Sequence, residues 1–190
     1  MRQIKMAFNP IIHHRRSIRL KGYDYSRAGL YFITICVQDR RCLFGGIENE
    51  QMILNDFGTI SYLQWGKLPE RFSNMELDVF QIMPNHMHGI IILTDPVGAS
   101  LAVAQNTAGT GASPAPTRKS VGDIVGAYKS LVAKDCLEIF KQKNPDEMMG
   151  KLWQRNYHEH IIRNEQSYQR VSEYIINNPA KWKDDKFYNN

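Results

Sequence analysis

Cysteine is scarce. Cys36, Cys42 and Cys136 are the whole supply in 190 residues, an odd number with no CxxC pair among them. That excludes a disulfide framework and a cysteine-built zinc centre, and it sets the expectation of a reducing, cytoplasmic setting. Long apolar runs are missing too. Nothing approaches the roughly 18–20 apolar residues of a membrane span, and no early apolar run follows the N-terminal charges as in a secretory signal. No membrane partner and no secretory leader are therefore expected. Acidic residues are outnumbered, 19 against 24 lysines and arginines, for a formal net charge of +5. The surplus fits a polyanionic partner such as nucleic acid, or plain colloidal solubility, and charge alone does not choose between them. What is present is ordinary for a globular chain: 43% hydrophobic and 23% charged residues, at a length that implies one domain with a real core.

Residues 1–27 form a basic arm carrying Arg15, Arg16, Arg19 and Lys21. Such an arm sits on phosphates or is a solvated terminus. Tyr31 to Gln38 is rich in β-branched and aromatic residues and reads as a strand, and Gly45-Gly46 reads as a turn. From Asn55 to Glu70 the apolar residues Phe57, Ile60, Leu63 and Leu68 recur near helical spacing, with Asn55 as N-cap. Leu77 to Phe80 and His86 to Leu93 read as two strands of a hairpin across Met83-Pro84-Asn85. The stretch 95–118 is small, polar and turn-forming, and is expected to be a flexible insertion.

A second helix is expected over Val121 to Lys143, with Ser120 as N-cap and an apolar stripe through Ile124, Val125, Tyr128, Leu131, Val132 and Cys136. Tyr157 to Ile162 reads as a short strand. A last helix runs from Glu165 to Asn177, ahead of Pro179. The order of elements predicts an α+β fold, a ferredoxin-like antiparallel sheet with helices packed on one face and a short or displaced last strand. The expected organisation is a single domain over 28–182 with its insertion at 95–118, followed by a polar tail over 183–190.

Candidate chemistry begins at Met83-Pro84-Asn85-His86-Met87-His88-Gly89. Side chains alternate along a strand, so His86 and His88 share a face and their imidazoles could converge on one divalent ion. Taken alone, a His-x-His pair also suits two polar residues on a solvated strand. Here the flanking segments read as buried, and buried histidines need partners. Gly89 would let a backbone or a ligand approach closely. On the last helix Tyr174 and Asn178 are four apart and share a face, so a phenol and an amide oxygen could reach one point. The same spacing equally suits a core aromatic and a C-cap. His158 and His160 repeat the alternating pattern and offer a second pair, or structural or DNA-contact roles.

Four ordered motifs carry a resemblance: Met-Pro-Asn-His-Met-His at 83–88, Trp153-Gln154, His160 to Asn164, and Tyr174-Ile175-Ile176-Asn177-Asn178-Pro179. Together they resemble the HUH single-tyrosine transposases, and more narrowly their REP-associated branch, from about Arg15 to Trp182 apart from the insertion. The resemblance implies a metal-dependent DNA strand transferase. His86 and His88 would bind magnesium or manganese, with Asn178 in the place of the third ligand. Tyr174 would attack a scissile phosphate and hold the 5′ phosphate covalently. Single-stranded or hairpin DNA would be the substrate, and the enzyme would be a monomer or homodimer. Arg15, Arg16, Arg19, Lys21, Lys129, Arg155 and Arg163 would contact phosphates. Trp153, with Gln154 beside it, or Trp182 would meet bases. Tyr157 and Tyr168 are the rival nucleophiles. Two other readings remain at this point, a nuclease using metal-activated water and a non-catalytic DNA-binding module.

Overall fold

A computed structural model describes residues 20, 22–95 and 118–188. Arg15, Arg16, Arg19 and Lys21 of the arm, and the interior of the insertion, lie outside the described residues. The insertion's two ends are joined, since Arg118 forms an ion pair with Asp95 at 3.1 Å.

The sheet is built from β1 (Gly29–Cys36), β4 (Met75–Met83), β5 (His86–Leu93) and β6 (His158–Ile162). They lie in the order β4-β5-β1-β6, and each neighbouring pair is antiparallel. With α1 (Asp56–Gly66) between β1 and β4, and α3 (Val121–Lys143) between β5 and β6, this is the ferredoxin-like βαββαβ order. The hairpin β4-β5 turns at Pro84-Asn85, where proline's missing donor costs no ladder bond. Asn55 caps α1 by accepting from the Gly58 amide, and Ser120 and Asp123 form a reciprocal capping box at the start of α3.

The α+β expectation holds, but the helices divide between the two faces. On one face Tyr31, Ile33 and Ile35 of β1 and Met87 and Ile91 of β5 pack against Trp65 of α1 and Ile124, Tyr128 and Val132 of α3. On the other, Phe32, Ile90 and Ile162 meet Tyr168, Val171 and Ile175 of α4 (Glu165–Asn177). Strand alternation sends Ile90 and Ile91 to opposite cores, so β5 is buried on both sides. A bulge in β4 between Leu77 and Phe80 lets both of those side chains join the first core while Val79 joins the second.

Two sequence expectations change. Gly45-Gly46 is not a turn but opens β2 (Gly45–Glu48), which pairs with β3 (Gln51–Leu54) across Asn49-Glu50, both at positive φ. Gly45 has a φ of +132°, and a Cβ there would lie 2.0 Å from the Ile53 carbonyl oxygen. Only glycine fits. The expected helix to Glu70 breaks at Lys67, and α2 (Leu68–Arg71) starts afresh with Pro69 in its first turn.

Candidate active site

His86 and His88 stand on the α4 face of β5, in register with Cys36 and Thr34 of β1 on one side and with Met83 and Gln81 of β4 on the other. Both imidazoles are fully buried, and their Nε2 atoms are 2.9 Å apart. The outward nitrogen of each ring has its own partner. His86 Nδ1 lies 2.8 Å from Asn85 Oδ1, and His88 Nδ1 lies 2.8 Å from Thr34 Oγ1. Burial disfavours the charged form, so His86 is pushed down to about 4 and His88 lies well below the ordinary histidine value. Both shifts favour the neutral ring, the form that metal ligation requires.

Tyr174 reaches this pair from α4. Its hydroxyl lies 3.1 Å from His88 Nε2 and donates to Asp185 Oδ2 at 2.9 Å. Burial first, and then the Asp185 carboxylate, raise its pKa. Tyr174 as a residue is still 38% exposed. Asn178, one turn further along, donates from Nδ2 to the same Asp185 oxygen at 2.8 Å, while its Oδ1 is buried with no hydrogen-bond partner. Aromatic rings close the rest of the wall. Phe32 lies 5.4 Å from the His88 ring, and Phe187 lies 4.6 Å from that of His86, measured between centroids.

The donor set suits a divalent cation. Nitrogen atoms 2.9 Å apart match two ligands of one ion at about 2.0–2.1 Å each, subtending roughly a right angle. One Asp185 oxygen lies with both imidazoles inside a group whose ligand atoms are all within 4.8 Å of one another. Asn178 holds the same carboxylate through its Nδ2, and its own oxygen is buried without a hydrogen-bond partner. Among the described residues this is the group of three side chains placed so that they could hold a metal ion.

His86, His88, Tyr174 and Asn178 are therefore brought together. Asp185 joins them without warning from the sequence. It lies in the stretch read as a polar tail, past a short 3-10 turn (Trp182–Asp184), and is drawn in because Phe187 is buried against the histidines. The apolar residues Trp182 and Phe187 in that short segment were the available signal.

Other candidates lie elsewhere. Trp153 is a core residue rather than a base-stacking one. It is 8% exposed, packs on Phe44 and Tyr128, and donates from Nε1 to the Lys129 carbonyl. Lys129 is not free for phosphates either, because its ammonium donates to the carbonyls of Gln154 and Arg155 at 2.6 and 3.0 Å. The Gln154 backbone amide donates to the Cys36 carbonyl. Trp182 is covered by Tyr188 and lies 5.9 Å from the His86 ring. Arg155 and Arg163 are exposed, and Arg163 lines a crevice of about 610 Å³ with His160, Gln166 and Arg170. His158 and His160 share the α4 face of β6 opposite Thr34 and Phe32, outside the three-ligand group. Tyr157 packs on the α1–α3 core, and Tyr168 packs with Ile90, Ile162 and Ile175 on the α4 face, with the Asp78 carboxylate raising its pKa. The space beside Gly89 is filled by the Trp65 ring, on the face of the sheet away from the histidines.

Among solved structures, the fold is similar to that of a REP-associated tyrosine transposase bound to a REP hairpin. The TM-score is 0.57 with 18% identity, over 86% of this chain and 74% of that one. The chain thus shares the fold of that tyrosine transposase. It belongs to one family with an uncharacterized protein of Haemophilus influenzae, being 43% identical to it over 181 residues, 95% of this chain and 97% of that one. No protein-family model matches the chain.

Proposed function

We propose that the protein is a metal-dependent DNA transposase that cleaves and rejoins single-stranded DNA beside a hairpin or repeat element through a 5′-phosphotyrosine at Tyr174. The observation that carries this reading is the Tyr174 phenol standing 3.1 Å from His88 Nε2 within one chain. A phenol at that distance from two neutral imidazoles can share a phosphate with whatever the imidazoles bind. The similar fold of a transposase bound to a REP hairpin supports the choice of substrate.

His86, His88 and Asp185 would hold magnesium or manganese, with Asn178 as the additional oxygen donor. The bound ion would polarise the scissile phosphate and offset the charge that develops on its oxygens. Tyr174 supplies the nucleophile: its Oη–P bond forms as the bond from phosphorus to the 3′ oxygen breaks. The phenolic proton passes to Asp185 Oδ2, which already accepts it in a hydrogen bond. The departing 3′ oxygen takes a proton from solvent and leaves as a hydroxyl. A second 3′ hydroxyl then attacks the phosphotyrosine, losing its proton to solvent as the Oη–P bond breaks, and Tyr174 Oη recovers its proton from Asp185 Oδ2, so the phosphodiester energy is conserved and no nucleotide cofactor is needed. Tyr174 meets histidines of its own chain, and the protein would act as a monomer or homodimer. Arg155 and Arg163 would bind backbone phosphates.

The test is incubation of the protein with a labelled hairpin oligonucleotide and manganese or magnesium, followed by denaturing electrophoresis. A chelator-sensitive covalent adduct is expected. Cleavage without an adduct would replace this reading with hydrolysis by activated water, and binding with neither would replace it with a non-catalytic DNA-binding protein.

A further inference from the structure

The two histidines are hydrogen-bonded to partners of different kinds, and the difference fixes what each ring can do. Asn85 is fully buried, and both hydrogens of its Nδ2 are committed, to the Phe187 carbonyl at 2.7 Å and the Arg40 carbonyl at 3.1 Å. Carbonyl oxygens only accept, so the carboxamide has one possible orientation. Its Oδ1 is left facing His86 Nδ1 at 2.8 Å, and that nitrogen must carry the hydrogen. A neutral His86 then has a bare Nε2. The Nε2–Nε2 contact at 2.9 Å needs one donor, which has to be His88 Nε2–H. His88 Nδ1 is then an acceptor, and Thr34 Oγ1 donates to it at 2.8 Å.

We infer that the pair is asymmetric: Asn85 locks His86 in the Nδ1–H form, while Thr34 lets His88 exchange from Nε2–H to Nδ1–H when a divalent ion binds. The exchange balances. His88 loses the Nε2 proton that would block the ion and gains one on Nδ1, with no net change in charge. The Thr34 hydroxyl rotates from donor to acceptor, which an amide in the Asn85 setting cannot do. Thr34 is 2% exposed, so a ring nitrogen facing it has no water to turn to. Asn85 and Thr34 are positioning residues, acting through the histidines. Asn85 also ties the C-terminal segment to the histidine strand, since one of its two carbonyl partners belongs to Phe187.

The exchange rests on the ion-binding reading given above, whereas the lock does not. Both are tested on the full chain, uniformly labelled with ¹⁵N, by long-range ¹H–¹⁵N correlation of the imidazoles, assigned with His86→Gln and His88→Gln. With chelator present, His86 is expected as Nδ1–H and His88 as Nε2–H; on adding magnesium, both become Nδ1–H. An Nε2–H form for His86 in the metal-free protein overturns the proposal and leaves the ion-binding reading standing. A His88 spectrum unchanged by magnesium overturns the exchange, and if no ion is bound it overturns the ion-binding reading too. Thr34→Val should weaken ion binding about 10–100-fold, as is typical for loss of such a partner, and Thr34→Ser should restore it. Equal affinity of Thr34→Val and the unaltered protein would contradict the role of the hydroxyl.

Discussion

The Tyr174 hydroxyl donates to the Asp185 carboxylate at 2.9 Å, across eleven residues that include the end of α4 and a 3-10 turn. The nucleophile candidate is therefore held by a residue from outside its own helix. The same Asp185 oxygen accepts from Asn178, so the phenol and the amide are tied to one carboxylate oxygen.

Asp185→Asn removes the second of the two main causes that raise the phenol's pKa, burial being the first. Ionisation of Tyr174 is expected at lower pH in that variant. Difference absorbance of tyrosinate, with Asp185→Asn compared against the same variant carrying Tyr174→Phe, reads the shift. An unchanged titration would show that Asp185 does not act on the phenol.

Acid should destabilise the metal-free protein in a defined window. His86 titrates near 4 when folded and near 6.5 when unfolded, because burial penalises its charged form. Above about 6.5 neither state binds the proton, and stability is fully present. As pH falls from about 6.5 to about 4 the unfolded chain takes up a proton that the folded chain refuses, so stability drops by roughly 1.4 kcal/mol per unit. His88 acts in the same direction. Urea midpoints across this range, for the unaltered protein and His86→Gln, check it. A midpoint that is flat or rises toward acid would contradict the buried neutral pair.

Gly89→Ala should unfold the protein more easily although it adds only one methyl group. Its Cβ would meet Trp65 Cζ2 at 2.7 Å and Phe80 Cβ at 3.2 Å, and the Trp65 ring is fully buried. Overpacking of this kind costs about 1–3 kcal/mol. Denaturant unfolding measures it, and a neutral result would mean that the ring has room to move.

These residues show where the sequence is readable. His86 with His88, and Tyr174 with Asn178, are pairs whose relation is set by the period of a strand and of a helix, so spacing alone aligned them. α3 was readable for the same reason, with its stripe and its Ser120 cap both local. Asp185, Thr34 and Trp65 reach the site or its back wall through tertiary packing and strand register, which no local pattern encodes. For Lys129 and Trp153 the residue type alone suggests a nucleic-acid surface, a cation for phosphates and a ring for bases. Their partners are loop carbonyls and core rings supplied from distant parts of the chain. The β2-β3 hairpin is hard to read because its four-residue strands, Gly-Gly-Ile-Glu and Gln-Met-Ile-Leu, are too short to show an apolar alternation in sequence.

Lys129→Ala and Arg163→Ala should separate cleanly. Lys129 holds two carbonyls of the loop before β6, so its loss should lower stability by roughly 1–3 kcal/mol and leave the salt dependence of DNA binding unchanged. Arg163 is exposed, so its loss should leave stability unchanged and reduce the slope of log affinity against log salt by about one. Denaturation and salt-titrated binding to a hairpin oligonucleotide read the two effects. A reduced salt slope in Lys129→Ala would return that lysine to the DNA interface.

The most direct test is to locate the DNA on the protein. After reaction with a hairpin oligonucleotide and manganese, nuclease trimming and proteolysis, mass spectrometry should find the nucleotide on the peptide containing Tyr174, and Tyr174→Phe should yield none. Nucleotide attached at Tyr157 or Tyr168, or an adduct that survives in Tyr174→Phe, would contradict the assignment of the nucleophile and the site built around it.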